Sequence, residues 1–236
     1  KEAEFVWNTI QDFTISEKKL QWSPGQKRFI TSELVKEKYG GYLLVDEAHS
    51  LGIYGDHGRG LAEHLGVEPS VDFIVGTFSK SLGSIGGFCV SRHDELTLFR
   101  YSSRPYIFTA SPCPSVIATT RVALRKLESQ PELRDRVWEN AEQLYTALEK
   151  LQLGLGPHLS PVIGIAFEDR VLSLACWQAL LEAGVYTNLI LPPAAPDGRS
   201  LIRCSVTAAH TPRQIDLIID AFMAVCRRFG IGRDAA

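Results

Sequence analysis

Three side chains that can take part in proton transfer or bond formation follow two apolar runs of the sequence. Asp46 ends the run "YLLVD", His49 comes three residues later, and Lys80 follows the run "VDFIVG". Continuous apolar runs of this length are typical of strands buried in a parallel sheet, and the ends of such strands meet at one edge. The pattern therefore predicts a carboxylate, an imidazole and an amine close together.

This set of groups suits pyridoxal phosphate, which needs a lysine for a Schiff base and an acid against its pyridine nitrogen. Asp46 could keep that nitrogen protonated, His49 could reach the ring hydroxyl, and Lys80 could bond to the cofactor carbonyl carbon. Around Lys80, Thr77 and Ser79 offer hydroxyls to a phosphate. Glycines that let the backbone approach closely follow in the same stretch, at Gly83, Gly86 and Gly87.

Each residue taken singly also has a plain structural interpretation. Asp46 could cap the next turn, His49 could be a hydrogen-bonded core histidine, and Lys80 could be a solvated surface lysine. The sequence "VDEAH" also matches the metal-binding box of a class of helicases, but that class needs a phosphate loop ending in Gly-Lys. The chain contains no Gly-Lys dipeptide, so the cofactor hypothesis is favoured.

The composition is that of an ordinary globular protein, with 45% hydrophobic and 22% charged residues and a net charge of -2 in 236 residues. This charge balance predicts no nucleic-acid partner. No apolar run approaches the roughly 20 residues of a membrane span, and peripheral membrane association stays open. The five scattered cysteines predict buried thiols in a reducing cytoplasm, without disulfides or a metal site.

Periodicity and punctuation by glycine and proline predict an alternation of strands and helices. The predicted strands are 42–46, 72–76, 86–91, 160–169 and 200–208, and the predicted helices are 32–40, 94–103, 115–129, 131–151, 170–184 and 211–230. The domain prediction has four parts: an unplaced segment 1–30, part of a large domain at 31–125, a connecting helix at 126–154 and a small α+β domain at 155–236.

Two long stretches, "VDEAHSLGIYGDHGRGLAEHLGV" and "DFIVGTFSKSLGSIGGF", resemble the α-oxoamine synthase family of fold-type I pyridoxal phosphate enzymes. The later segments "RPYIFTASPCPSVIAT", "WQALLEAGVYTNLILPPAAP" and "IRCSVTAAHT" extend the resemblance over roughly residues 32–230. It implies an α/β fold, with part of a large, mostly parallel-sheet domain followed by a smaller α+β domain.

The resemblance also implies an activity, the condensation of an amino acid with an acyl-CoA with loss of carbon dioxide. Within the family, the later segments point to L-serine and palmitoyl-CoA as substrates and 3-oxosphinganine as product, the first step of sphingolipid synthesis. A reaction of glycine or alanine with another acyl-CoA is the alternative. A non-catalytic partner subunit is a further hypothesis, although such subunits lack the Schiff-base lysine that Lys80 matches.

Residue roles carry over from the family by position. Lys80 matches the Schiff-base lysine, Asp46 the partner of the pyridinium nitrogen, and His49 the contact of the ring hydroxyl, with Thr77 and Ser79 near the phosphate. In this family the active site lies at a homodimer interface. The "FTAS" turn, with Thr109 and Ala110, contributes to the phosphate pocket of the other subunit, and Arg203 matches the arginine that holds the substrate carboxylate.

The chain departs from the family in two ways. Leu191 stands where the members that use serine commonly carry an arginine before the Pro-Pro pair, so Arg203, with Arg199 as a more distant candidate, would bind more of the substrate carboxylate. Ala195 replaces a common threonine. The family also has a preceding half-domain, which supplies a histidine over the ring and the acyl-CoA entrance. Nothing in residues 1–31 matches that half, so we expect the chain to be a stretch of a longer protein.

Overall fold

The computed structural model describes residues 36, 38–195 and 198–232. The chain divides into two compact units, Lys1–Pro131 and Glu132–Ala236. The unplaced segment 1–30 and the predicted helix cap Ser32 lie outside the described residues. The predicted domain boundaries at 125 and 154 stay predictions.

The first unit contains a three-stranded sheet in the order β1-β2-β3, formed by Leu44–Asp46, Phe73–Thr77 and Gly87–Ser91. Strand β1 pairs in parallel with β2, as expected for two buried apolar runs. Its helices are α1 (Leu61–His64), α2 (Phe99–Ser102), α3 (Arg104–Ile107) and α4 (Pro114–Ser129), and short 3-10 turns lie at Glu68–Ser70 and Asp94–Leu98.

Strand β3 differs from expectation because it pairs with β2 in the antiparallel sense. The connection from Thr77 to Gly87 has too few residues for the crossover that parallel neighbours require, usually a dozen or more with a helix. The stretch therefore forms a hairpin, and the loop that carries Lys80 is its turn. The predicted helix 94–103 is likewise divided into the 3-10 turn and α2.

The second unit contains a fully antiparallel sheet in the order β4-β6-β5, formed by Val162–Phe167, Ser200–Ser205 and Asn188–Ile190. Its described helices are α5 (Glu132–Lys150), α6 (Arg170–Glu182) and α7 (Pro212–Phe229). Strand β5 was not predicted from the sequence, because three residues are too few to display an alternating pattern.

Local sequence features explain where the helices of the second unit begin and end. Thr211 caps α7 in a capping box with Gln214, Pro212 occupies the first turn, and Gly230 ends the helix with a φ of 62°. Asp169 caps α6 by accepting hydrogen bonds from two backbone amides of the first turn. These predicted boundaries are therefore confirmed to within two residues.

The cysteines only partly follow the sequence prediction. Cys176, Cys204 and Cys226 are buried, whereas Cys89 and Cys113 are exposed, and all five are free thiols. Burial raises the pKa of Cys176 to about 11, with a smaller contribution from Cys226, and that of Cys204 to about 12. The buried thiols therefore stay protonated and pack as small apolar groups.

Candidate functional site

The first group of candidate residues follows β1. Asp46 is exposed at the last position of the strand, opposite Val75 of β2. Its Oδ1 accepts a hydrogen bond of 2.8 Å from the backbone amide of Ala48, so the carboxylate does cap the following turn. Because β1 and β2 are parallel, their carboxyl ends meet at one edge, and this edge also begins the loop that carries Lys80.

His49 lies in the turn that follows β1 and is exposed, so it is not a core histidine. The turn itself is fixed by backbone hydrogen bonds, since the amides of Ser50 and Leu51 donate to the carbonyl of Glu47 at 3.2 and 3.0 Å. His49 is thereby held on the same short segment as Asp46.

Glu47 was missed in the sequence analysis, although it lies between two candidate residues. Its side chain is 1% exposed, and its two carboxylate oxygens accept hydrogen bonds from the amides of Leu61 and Ala62 at 2.8 Å. The hydroxyl of Ser50 also donates to it, and its own amide donates to the Val75 carbonyl at 2.8 Å. Glu47 therefore anchors the segment of Asp46 and His49 to β2 and α1.

The Lys80 loop is an ordered hairpin turn. The amide of Phe78 donates to the carbonyl of Gly86 at 2.9 Å, and that of Ser84 to the carbonyl of Phe78 at 2.7 Å. The amide of Gly83 donates to the Lys80 carbonyl at 3.0 Å. The Lys80 backbone is thus held on both sides while its side chain is exposed.

Thr77 and Ser79 form a pair of hydroxyls beside Lys80. Their oxygens lie 2.8 Å apart, and the Thr77 hydroxyl also lies within 3.1 Å of the Gly86 carbonyl, to which it can donate. The amide of Ser79 donates to Thr77 Oγ1 at 3.2 Å. Because Ser79 is the more exposed of the two, its hydroxyl is the better placed to bind a ligand, and Thr77 orders the loop.

Two kinds of glycine shape this hairpin. At Gly87 a Cβ atom would lie 2.7 Å from the carbonyl oxygen of Gly76, so the strands approach closely there. Gly83 and Gly86 adopt φ values of 56° and 108°, which glycine reaches without the steric cost of a side chain. Gly87 is therefore required by the close approach of the two strands and the other two by the turn, while the expected approach to a phosphate stays a prediction.

Packing anchors the Lys80 loop within the first unit. Leu82 is 4% exposed, and the Thr120 hydroxyl, on α4, donates to Ser84 Oγ at 2.7 Å. The loop therefore presents an exposed amine on a fixed backbone, the preorganisation that a bond-forming residue needs.

Thr109 and Ala110 are exposed in the irregular segment between α3 and α4, after Phe108, which is 83% exposed. No described hydrogen bond brings Thr109 or Ala110 to the Lys80 loop. Their exposure is compatible with the role across a dimer interface that the resemblance implies, and that role stays a prediction.

Arg203 lies in the second unit, at the middle of the central strand β6. It is opposite Gly164 of β4 and Asn188 of β5, and its Nη2 donates to Asn188 Oδ1 at 3.2 Å. Leu191 follows β5 and accepts hydrogen bonds at its carbonyl from the amides of Ala194 and Ala195. Among the three strands of this sheet, the arginine is Arg203, and Leu191 carries no second guanidinium.

A further charged cluster supports the sheet of the first unit. Asp72 is buried and accepts hydrogen bonds from the Leu43 amide and from Lys36 at 2.7 Å, and its Oδ1 lies 2.8 Å from His93 Nε2. Burial alone would raise the pKa of Asp72, but the bonds from Leu43, Lys36 and His93 outweigh it and lower the pKa. The cluster joins the segments before β1 and after β3.

Two absences complete the description. Within the described part of the chain, no three His, Cys, Asp or Glu side chains are grouped to hold a metal ion. Of the helices that the structure describes, none is both long enough and apolar enough to cross a membrane.

The chain is similar to a known protein family and to enzymes named for their reactions. The model of the family "Aminotransferase class I and II" matches residues 32–222. Serine palmitoyltransferase of Caulobacter vibrioides is 54% identical over 197 residues, 84% of this chain and 49% of the relative. The 8-amino-7-oxononanoate synthase of Alkaliphilus metalliredigens is 34% identical over 189 residues, 80% of this chain and 48% of the relative.

A solved structure shows the same fold. Serine palmitoyltransferase from S. paucimobilis, solved with a bound PLP-myriocin aldimine, is 45% identical, with a TM-score of 0.81 over 84% of this chain and 50% of that one. This chain spans about half the length of the curated relatives it matches. The predicted fold class and the resemblance are confirmed, and the chain belongs to the aminotransferase class I and II family.

Proposed function

We propose that the protein containing this chain condenses L-serine with palmitoyl-CoA, with loss of carbon dioxide, to give 3-oxosphinganine. The observation that carries the proposal is the shared strand edge, where parallel β1 and β2 place the Asp46 segment beside the Lys80 hairpin. The choice of serine and palmitoyl-CoA is supported by the relatives that are named serine palmitoyltransferase.

The residues at this edge fit pyridoxal phosphate. Asp46, Ser79 and Lys80 are exposed, and a Cβ built on Gly83 meets only open space, so the described protein atoms leave room beside the loop. Hydroxyl donors, a carboxylate and an amine are the groups that this cofactor requires. When bound, the cofactor supplies a cationic ring that withdraws electrons from the substrate α-carbon.

The first unit would hold the cofactor and move the proton. In this proposal the Asp46 carboxylate would keep a positive charge at the ring nitrogen, and His49 would face the ring hydroxyl. Lys80 Nζ would hold the cofactor at its carbonyl carbon, and once the amino group of the substrate has replaced it there, the released Lys80 amine would take the α-proton of the amino acid. Ser79 would donate to the phosphate, and Thr77 would keep the loop in shape.

The second unit would hold the amino acid. The Arg203 guanidinium can bind the serine carboxylate through two parallel hydrogen bonds, which fix both its distance and its orientation. With Leu191 on the neighbouring turn, Arg203 carries this task without a second arginine from the Pro-Pro segment.

The proposal includes a homodimer, in which Thr109 and Ala110 reach the phosphate pocket of the second subunit. The apolar side chains around this segment are strongly exposed, with Phe108 at 83% and Tyr106 at 60%, as an interface element would be before assembly. We place the reaction in the cytoplasm and at the start of sphingolipid synthesis.

A sister reaction with glycine or alanine and a different acyl-CoA is the second candidate. It is supported by the relatives named 8-amino-7-oxononanoate synthase, at 34% identity. Amino-acid competition separates the two, since L-serine should be used at least about tenfold better than glycine or L-alanine if its hydroxyl is bound.

Lys80 provides the decisive experiment. Borohydride reduction of the PLP-loaded, full-length protein, followed by peptide mapping, should place the pyridoxyl group on Lys80. Lys80→Ala should lower turnover at least about a thousandfold. Lys126→Ala, an exposed lysine of α4, is the matched control and should change neither result. A pyridoxyl group on another lysine would refute the assignment.

A further inference from the structure

Arg203 has two different neighbours along the sheet. On the β5 side, its Nη2 donates to the side-chain oxygen of Asn188 at 3.2 Å, and the two residues are directly opposite in the register. On the β4 side the opposite residue is Gly164, and a Cβ built there meets open space. The guanidinium is therefore held by Asn188 on one side, and the backbone opposite it on the other side carries no side chain.

The remaining hydrogen-bonding capacity of Arg203 is not used by the described protein. Its Nε is buried and lacks a hydrogen-bond partner among the described residues. A buried donor without a partner costs stability, and native proteins rarely leave one unmatched unless a ligand or water matches it. The unmatched Nε thus points to an acceptor for Arg203 that is not among the described residues.

Among the described residues, the hydrogen-bond acceptor for the Arg203 side chain is the neutral amide of Asn188. No carboxylate in the described part of the chain forms an ion pair with Arg203. A guanidinium held by an amide keeps its full charge for an incoming anion, whereas a neighbouring carboxylate would neutralise that charge and compete with the anion. Asn188 therefore orients the Arg203 guanidinium and leaves its positive charge uncompensated.

We propose that Asn188 is a positioning residue that orients the Arg203 guanidinium for the substrate carboxylate and, because it is neutral, keeps that charge available. This inference rests on the proposed function, since it concerns how Arg203 binds the amino acid. It predicts that L-serine affinity depends on both the acceptor oxygen and the absence of charge at position 188.

Two substitutions separate these requirements. Asn188→Ala removes the acceptor, and we expect L-serine affinity to fall about tenfold, the effect of one lost hydrogen bond to a charged group. Asn188→Asp keeps an acceptor of the same shape but adds a charge, and we expect a fall of at least about a hundredfold. A merely structural role predicts the reverse order, because aspartate preserves the hydrogen bond that alanine removes.

The measurement is a titration of the PLP-loaded, full-length protein with L-serine and, in parallel, with L-serine methyl ester, followed by cofactor absorbance. The ester lacks the carboxylate charge, so its affinity should change less than about threefold in either variant. Steady-state assays should show the loss mainly in the KM for serine. Asn140→Ala is the matched control, since Asn140 binds the Thr207 and His210 carbonyls of the same unit.

The outcomes separate a failure of the proposed function from a failure of the role of Asn188. If the wild type does not respond to L-serine, the proposed function fails and this inference with it. If the wild type responds and Arg203→Ala loses the response while both Asn188 variants keep it, only the role of Asn188 is overturned. Equal losses for serine and its ester would also overturn it. Should Asn188→Ala fail to fold, Asn188→Asp against wild type still decides the charge requirement.

Discussion

The two units of the chain differ in how completely they bury their own apolar side chains. In the second unit, α5, α6 and α7 contribute with the sheet to one buried cluster that includes Leu144, Leu180 and Ile202, each fully inaccessible. In the first unit, the described buried cluster consists of Leu43, Val45, Ala62 and Val71. The second unit therefore has a core of its own, whereas the described part of the first has a small one.

Exposed large apolar side chains occur in both units and are more numerous in the described part of the first. Large apolar side chains of the first unit are concentrated between residues 98 and 124 and are strongly exposed, for example Tyr101 at 78% and Phe108 at 83%. Large apolar side chains that are exposed in such number are typical of interface segments when they lie together. The candidate cofactor residues thus lie on the unit with the smaller described core, and the candidate substrate arginine lies on the unit with the larger one.

The largest effect expected from this contrast concerns isolated segments. Residues 132–236 alone should unfold in one cooperative transition, because their buried cluster is contained within the unit. Residues 1–131 alone should show no sharp transition and should bind a hydrophobic dye. Thermal unfolding of each segment is followed by near-ultraviolet circular dichroism, and dye binding is followed by fluorescence. A 132–236 segment that unfolds without cooperativity would contradict the assignment of a separate core to the second unit.

A second test separates the chemical roles of the units. Asp46→Asn should lower turnover at least about a hundredfold while leaving cofactor occupancy and serine affinity nearly unchanged. The amide retains an oxygen that can accept from Ala48, so the turn should survive. Asp94→Asn is the control at an exposed carboxylate of the same unit. Unchanged turnover in Asp46→Asn would assign that residue a capping role alone.

The stability of the first unit should fall in acid because of Asp72. Its pKa is lowered in the folded state, so its contribution to stability is complete above the ordinary value of 3.8 and is lost as the pH falls through the folded value. Asp72→Asn should therefore be less stable than wild type at pH 7, by about 1–3 kcal/mol. The difference should shrink below pH about 4.

Unfolding midpoints of wild type and Asp72→Asn between pH 7 and pH 3 measure that difference. Glu142→Asn, at an exposed carboxylate of α5, serves as control. A constant difference across this range would mean that Asp72 is not titrating as described.

The smallest expected change in stability comes from a substitution at Thr187 in the second unit. Thr187 is 4% exposed, and its hydroxyl oxygen has no hydrogen-bond partner among the described residues. Thr187→Val keeps the shape and removes the unmatched hydroxyl, so stability should stay equal or rise by up to about 1 kcal/mol. Its backbone carbonyl would still accept from Trp177 at 3.0 Å. A clear loss of stability on chemical unfolding would reveal a partner for the hydroxyl.

Local sequence patterns predicted most of the strands and helices, because their causes are local. The capping box at Thr211 and the glycine stop at Gly230 depend on a few neighbouring residues. The antiparallel direction of β3 could also have been inferred from the short connection after Thr77. The strand β5 could not, since a three-residue strand is defined by its partner β6 and not by its own periodicity.

The types and order of the candidate cofactor residues came from the sequence alone, since Asp46 ends one apolar run and His49 and Lys80 each follow one. The tertiary structure decided which residues support them. Glu47 anchors the Asp46 segment through amides of a distant helix, and Asn188 contacts Arg203 across two strands. Such contacts join residues that are far apart in the chain, and only strand pairing and packing bring them together.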